Sequence, residues 1–206
     1  MEQDHLLLAR TAAGEKAAFN EIIRKYQTAL INFIYRLVGD RHLSEEIAQE
    51  TFLRIYQSAS HYKPKAKFST YLYQVAKNVA LNVLRHRKFV TFFQQPFPLL
   101  LNFQLKTEES EQENRQQLRQ LVQQALNKLP FAQRTAIILA KYEGLSYEEI
   151  ASVMKTSVPA VKSLIYRAKE TLKKTLTPLV SSEGQLEYRY FLPVRRVSTI
   201  EGDTHD

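Results

Sequence analysis

A chain of 206 residues, 44% apolar and 24% charged, is long enough to bury one large core or two small ones, and disorder throughout is excluded. With no cysteine it has no disulfide framework, iron–sulfur cluster, thiolate zinc or cysteine nucleophile, and no run reaches the length of a membrane span, so a cytoplasmic protein is expected. The net charge of +8 points to an anionic partner.

Helical periodicity dominates from the start. A short helix is expected around residues 6–12. Phe19, Ile22, Ile23, Tyr26, Leu30, Phe33, Ile34 and Leu37 then recur at threes and fours, as one long amphipathic helix that Gly39 terminates. Ala48, Thr51, Phe52, Ile55, Tyr56 and Ala59 repeat the pattern from about Ser44, the expected N-cap. Pro64 lies in the following break. Ser69 is expected to cap a third helix with Leu72, Val75, Ala76, Val79 and Val83 inward, ending near Arg87-Lys88.

Residues 89–107 follow no period, and Pro96 and Pro98 oppose a helix across their centre. Solvated linkers are normally polar, whereas this segment is rich in Phe and Leu, so Phe92, Phe93 and Phe97 are expected to pack between the two halves. Ser110 with Glu113 reads as a capping box opening a helix with Leu118, Leu121, Val122, Ala125, Leu126 and Leu129 inward. Pro130 punctuates it, a further helix runs to about Tyr142, and Gly144 closes that one. A second capping box, Ser146 with Glu149, opens a short helix carrying Ile150, Ala151, Val153 and Met154. After the turn Lys155-Thr156-Ser157, a basic helix runs from Val158 to about Thr175, before Pro178.

The expected fold is all-α: a helical domain over 1–90, a linker over 91–110, a helix-turn-helix domain of winged-helix-like type over 111–178, and a tail over 179–206. In the tail, Leu186, Tyr188, Tyr190, Leu192 and Val194 alternate like a strand, while Pro193 and the polar ending fit a disordered tail equally well.

The charge is uneven. Residues 1–90 carry a net +6 and residues 125–180 a net +5, separated by a slightly acidic connector and followed by an acidic tail. No Asp or Glu occurs in the 57 positions between Glu50 and Glu108, which hold Arg54, Lys63, Lys65, Lys67, Lys77, Arg85, Arg87 and Lys88. A one-signed window of that length reads as the footprint of a polyanion. In the last helix Val161, Leu164 or Ile165, Ala168 and Leu172 face inward. Lys162, Tyr166, Lys169 and Lys173 share another face, with Ser163 and Arg167 beside it. Donors repeated along one exposed stripe, on a helix entered through a tight turn, suit a major groove.

Both halves together resemble the extracytoplasmic-function type of RNA polymerase sigma factor, in the sigma-70 family. In the first half the likeness rests on Leu43-Ser44-Glu45-Glu46-Ile47-Ala48-Gln49-Glu50-Thr51-Phe52-Leu53-Arg54-Ile55-Tyr56, on Phe68-Ser69-Thr70-Tyr71-Leu72-Tyr73-Gln74-Val75-Ala76-Lys77-Asn78, and on Leu84-Arg85-His86-Arg87. In the second it rests on Leu129-Pro130 with Gln133-Arg134, on Glu143-Gly144-Leu145-Ser146-Tyr147-Glu148-Glu149-Ile150-Ala151, and on Val161-Lys162-Ser163 with Arg167-Ala168-Lys169.

The resemblance implies a protein that binds core polymerase and promoter DNA without catalysing anything itself or holding a cofactor or metal. Glu46, Gln49 and Glu50 would dock on the clamp helices of the β′ subunit, with the β subunit a further contact. Lys63, Lys65, Lys67, Tyr71, Lys77, Asn78 and Arg85 would take the −10 element and help melt it. Cations interleaved with the rings of Tyr62, Phe68, Tyr71 and Tyr73 suit single strands, although Phe68 also fits the core. Lys162, Ser163, Tyr166, Arg167, Lys169, Lys173 and Lys174 would take the −35 element. Glu108, Glu109, Glu111 and Glu113 would mimic RNA charge in the polymerase exit path. An anti-sigma partner is compatible with this scheme, and no membrane insertion is expected.

Three departures from the family stand out: Tyr71 where Trp is common, Pro159-Ala160 where Gly-Thr is usual, and Lys155 where Gly is frequent, which carries strain if its φ is positive. A helix-turn-helix regulator that never meets the polymerase would explain the second half but leave the acid-free window unexplained. A helical metalloenzyme is the remote alternative, since Glu2-Gln3-Asp4-His5 holds a lone Glu-x-x-His where a di-iron bundle needs two.

Overall fold

The computed structural model describes the backbone of residues 3–64, 66–92 and 111–180, and their side chains except 87–92, 111–117 and 177–180. Helix α1 (Gln3–Ala12) lies against α2 (Lys16–Val38), whose stripe of Phe19, Ile22, Leu30, Phe33, Ile34 and Leu37 is buried. Gly39 ends α2 in the left-handed region at φ 78°, its N–H returning to the Tyr35 carbonyl at 2.8 Å. Asp4, almost fully buried, accepts from the Tyr26 hydroxyl at 2.8 Å and Lys25 Nζ at 2.5 Å, fastening α1 to α2.

Helix α3 (Arg41–Ser58) starts earlier than its pattern indicates. Asp40, not Ser44, is the N-cap: its carboxylate accepts the Leu43 N–H at 2.9 Å, while Ser44 is buried one turn inside with its hydroxyl on the Asp40 carbonyl. Gly39 leaves Asp40 extended at the first orphan amides, so the upstream acceptor takes the cap. A 3-10 turn (Ala59–His61) leads into the break, and α4 (Phe68–Phe92) follows. Ser69 lies within the first turn of α4 and does not cap it; the Thr70 N–H goes back to the Lys67 carbonyl at 3.1 Å. Burial of Phe68 in the core sets that start.

The second half comprises α5 (Glu111–Asn127), α6 (Phe131–Lys141), α7 (Tyr147–Met154) and α8 (Val158–Val180). The capping box at Ser146 and Glu149 is present in both directions, at 3.2 and 2.8 Å. Helix α8 runs past Thr175 and through Pro178, where proline removes only a bond to Lys174 in the final turn. The Ser110–Glu113 box, the packing of Phe92, Phe93 and Phe97, and the strand-like tail lie outside the described residues. Among the described residues there is no strand.

One buried cluster runs through both halves, from Leu7, Ile22 and Phe33 through Leu72 and Ala76 to Ile138, Leu139 and Ile150. α2 packs on α5 and α6, and α4 packs on α7. A polar seam reinforces the apolar contact. Arg134 donates to the Leu37 carbonyl at 2.6 Å across the seam, and within its own half to the carbonyls of Asn127 (2.7 Å) and Leu129 (3.0 Å) and to Asn127 Oδ1 (3.3 Å). Gly39 sits so close to Asn127 that a Cβ would stand 2.8 Å from its Nδ2. A left-handed φ and this approach together require glycine there.

Candidate nucleic-acid and polymerase interface

Opposite the buried Ile47, Ala48, Thr51, Phe52 and Ile55, helix α3 shows solvent a polar face bearing Glu46, Gln49 and Glu50. Glu50 pairs with Arg54 at 2.7 Å and Glu46 approaches His42 at 3.6 Å, each within one helical turn. Such exposed pairs add little to the fold and leave the carboxylates accessible.

The break between α3 and α4 carries the −10 candidates. Lys63 is exposed; Lys65 lies outside the described residues. Tyr71 is half-buried, its hydroxyl 2.8 Å from Ser58 Oγ and its ring 4.8 Å from that of Tyr62. Phe68 and Tyr73, by contrast, are buried, so these two rings belong to the core and are not available for stacking on bases. Asn78 and Arg85 are exposed along α4.

Two further candidates reach the other half. Lys67 Nζ lies 2.9 Å from Glu149, and Lys77 Nζ donates to the Val153 carbonyl at 3.3 Å. The Ser146 amide and Lys67 hold Glu149 below the usual carboxylate range, while burial and nearby Lys155 lower Lys77. Two of the basic candidates of the first half, Lys67 and Lys77, thus lie against the helix-turn-helix, while Lys63 and Arg85 stay exposed.

Behind this contact, the Tyr73 hydroxyl donates to Glu143 at 2.6 Å, Arg36 stands 3.9 Å from the same carboxylate, and its guanidinium caps the Tyr142 ring at 4.2 Å. Burial and the Glu143 charge push the Tyr73 phenol far above its ordinary value. Burial likewise raises Glu143, against the opposing pull of Tyr73 and Arg36. Its carboxyl therefore contributes stability that is fully present below the unfolded-chain value and is lost as pH rises through the raised one. Glu143→Gln keeps an acceptor for Tyr73 and removes that loss. Urea unfolding across mildly acid to neutral pH is expected to show a flatter profile, with a variant at least as stable as the parent at neutral pH. A steeper profile in the variant refutes the assignment.

Helices α7 and α8 meet across a tight turn. Lys155 caps α7 at φ 53°, ψ 52°, the one non-glycine residue with positive φ among the described residues. That conformation costs a side-chain-bearing residue about 1–2 kcal/mol. In α8, Val161, Ile165 and Ala168 are buried with Leu164 and Leu172 partly so, as the periodicity requires. Lys162, Ser163, Tyr166 and Arg167 form an exposed stripe, and Tyr166 is 66% exposed, too open for a core role. Lys173 and Lys174 are exposed further along. Lys169 and Lys173 also stand at the rim of an apolar groove of about 370 Å³ floored by Leu126, Ile137, Leu172 and Leu176. Lys141 shares that rim, lowered by burial and by Lys169.

Sequence reasoning missed the seam residues Arg36, Tyr73, Arg134 and Glu143 as a group. Their partners lie up to 97 positions apart, and no local pattern signals such pairing.

Comparison with known proteins agrees with this geometry. The family model "Sigma-70 region 2" matches residues 22–90, and "Sigma-70, region 4" matches 119–172. The chain is 35% identical over 192 residues to the RNA polymerase sigma-H factor of Pseudomonas aeruginosa, covering 87% of this chain and 96% of that protein. It is 33% identical over 190 residues to the ECF RNA polymerase sigma-E factor of Escherichia coli, covering 86% and 96%. Its fold is similar to that of CnrH, solved in complex with the cytosolic domain of CnrY, at TM-score 0.65 and 22% identity, covering 88% of this chain and 99% of that one. It is also similar to the sigma factor RpoE, solved with the anti-sigma factor NepR from Bartonella quintana, at TM-score 0.62 and 21% identity, covering 77% and 96%. Two region models in the order of the two halves, and relatives matched along nearly their whole length, show that the chain belongs to the extracytoplasmic-function sigma factors of the sigma-70 family.

Proposed function

We propose that this sigma factor binds core RNA polymerase through its β′ clamp helices and its β subunit, reads −35 and −10 promoter elements, and helps open the duplex. The observation that carries the reading is the exposed stripe of Lys162, Ser163, Tyr166 and Arg167 on a helix entered through a tight turn, in a chain whose sequence between Glu50 and Glu108 is basic and free of acids. The outward carboxylates of Glu46 and Glu50 are ill placed for DNA and suit a basic protein surface. Lys67 and Lys77 lie against α7, so capture of the −10 strand requires the halves to part. The similar fold of the sigma factor RpoE, solved with the anti-sigma factor NepR, supports an anti-sigma factor as a further partner.

Run-off transcription with core polymerase on genomic promoter fragments tests the scheme: the chain is expected to direct initiation at defined starts that core alone does not use. Specific DNA binding with no effect on core would instead favour a regulator acting without the polymerase. Within the scheme, Glu50→Lys is expected to weaken core binding about tenfold or more while leaving melting nearly unchanged, because the residue is outside the core and its one pair is exposed. Titration of labelled core against both proteins checks this, and equal affinities remove the assignment.

A further inference from the structure

Helices α5, α6 and α8 leave an apolar groove of about 370 Å³ between them. Leu126, Ile137 and Leu176 are buried at its floor, and Val122 and Leu172 are half-buried along its walls. We propose that the chain's own tail, residues 186–192, folds back along α8 into this groove and screens Lys169 and Lys173 from DNA. The seat stands on the groove and the tail alone; only the screening rests on the assignment of those lysines to the −35 element.

Three observations converge. The first is where the chain goes. Helix α8 ends at Val180, one turn beyond Leu176, and residues 181–206 follow. The wall that α8 gives the groove runs from Lys169 to Leu176. From Val180 back to Lys169 is about 17 Å along the helix axis. Ser181-Ser182-Glu183-Gly184-Gln185 is a connection of turn-forming types. Residues 186–192 span about 20 Å when extended, and Pro193 then closes the segment. A reversal at the connection therefore lays the segment along the whole length of the groove.

The second is the pattern of the tail. At a period of two, Leu186, Tyr188, Tyr190 and Leu192 share one face, and Glu187, Arg189 and Phe191 the other. Large apolar side chains repeated on one face gain by leaving water. Tethered through so short a connection, the segment is held at an effective concentration on the order of millimolar, so a modest contact suffices to seat it.

The third is charge. Lys141, Lys169 and Lys173 stand at the rim, and Glu170 is the one carboxylate among the lining residues. Burial and the like charge of Lys169 together lower Lys141. Residues 181–206 carry five acidic and three basic side chains, a net −2, against the +5 of residues 125–180. Glu183 and Glu187 fall beside the rim when Leu186 and Tyr188 enter the groove. An acidic tail complements that rim, whereas a second copy would bring like charge to it.

The chain has no tryptophan, so a single introduced one reports its own surroundings. In the full chain, Tyr188→Trp is expected to emit to the blue of Ile200→Trp, which lies beyond the seated segment, and to be quenched by acrylamide about threefold less. Adding Leu186→Ser and Tyr190→Ser leaves every residue of the helical core unaltered, and the emission is expected to move to that of Ile200→Trp. Leu172→Gln in the groove wall should move it likewise. Without the tryptophan, Leu186→Ser with Tyr190→Ser is expected to bind duplex DNA about threefold tighter at low salt, with a salt dependence steeper by about one to two counterions. Tyr188→Trp emitting like Ile200→Trp in the free chain overturns the seat. So does a shift to the blue that occurs only when core polymerase is added, since the groove would then belong to the polymerase. A blue emission that fades on dilution also overturns it, assigning the groove to a second copy. A tail seated by emission whose release leaves DNA affinity and salt dependence unchanged overturns the screening. Transcription with core is a separate readout, so its failure in the parent would sink the promoter scheme and leave the emission result in place.

Discussion

Arg134→Ala is expected to destabilise the protein by about 2–4 kcal/mol and to loosen the two halves from each other, because one partly buried guanidinium serves three backbone carbonyls and one side-chain amide. Two of those carbonyls, of Asn127 and Leu129, lie at the end of α5, where no further turn supplies donors; the third, of Leu37, lies at the end of α2. Alanine leaves all three to find water at a seam lined by Leu37, Leu126 and Leu129. Burial lowers the guanidinium's affinity for its proton. Even so, arginine stays charged across the accessible pH range, so the loss is expected to vary little with pH. Arg134→Lys keeps the charge but offers one point donor where a planar fork spans several acceptors, and most of the loss is expected to remain. Urea unfolding gives the magnitude, and a fluorophore pair on α2 and α6 reports the separation. An Ala variant with parental stability and an unchanged distance would show that water replaces the fork at no cost.

On promoter DNA, Arg167→Ala and Lys174→Ala are expected to fail in different ways. Arg167 lies in the exposed stripe of α8 beside Lys162, Ser163 and Tyr166, within the first turns after the entry to the helix. If that stripe enters the major groove, the loss is about 1–3 kcal/mol on the best sequence, and preference relaxes at one base pair. Lys174 lies two turns further along α8; on the same premise it would stand where the helix leaves the groove and meets phosphate. Its loss should weaken every sequence alike and reduce the salt dependence by about one released counterion. Binding across a randomised −35 element at two salt concentrations separates the two patterns. An Arg167→Ala variant that lowers all sequences equally would make that residue a phosphate anchor and shift the register of α8 in the groove.

The helices themselves were legible in the chain because their signals are local. Threes-and-fours burial in α2 and α8, Gly39 and Gly144 at helix ends, the Ser146–Glu149 box and a strained Lys155 are all consequences of residues within a few positions of one another. Where two local signals competed, the pattern alone was insufficient: Asp40 took the cap of α3 from Ser44 because it meets the first free amides. The exposed carboxylates of α3 and the outward stripe of α8 were also readable, since each lies opposite a buried stripe on the same helix.

What covers a surface was decided only by tertiary structure. The spacing of Phe68 and Tyr73 among lysines suited base stacking as well as burial, and the packing of α2 against α4 and of α4 against α7 put both in the core. Lys67 and Lys77 read as DNA contacts, and folding laid them against α7. The seam that joins the halves links Tyr73 to Glu143 and Arg134 to Leu37, pairs 70 and 97 residues apart. Periodicity records that a face is buried but carries no information about which distant element buries it, because that choice rests on the shape and charge of two assembled surfaces.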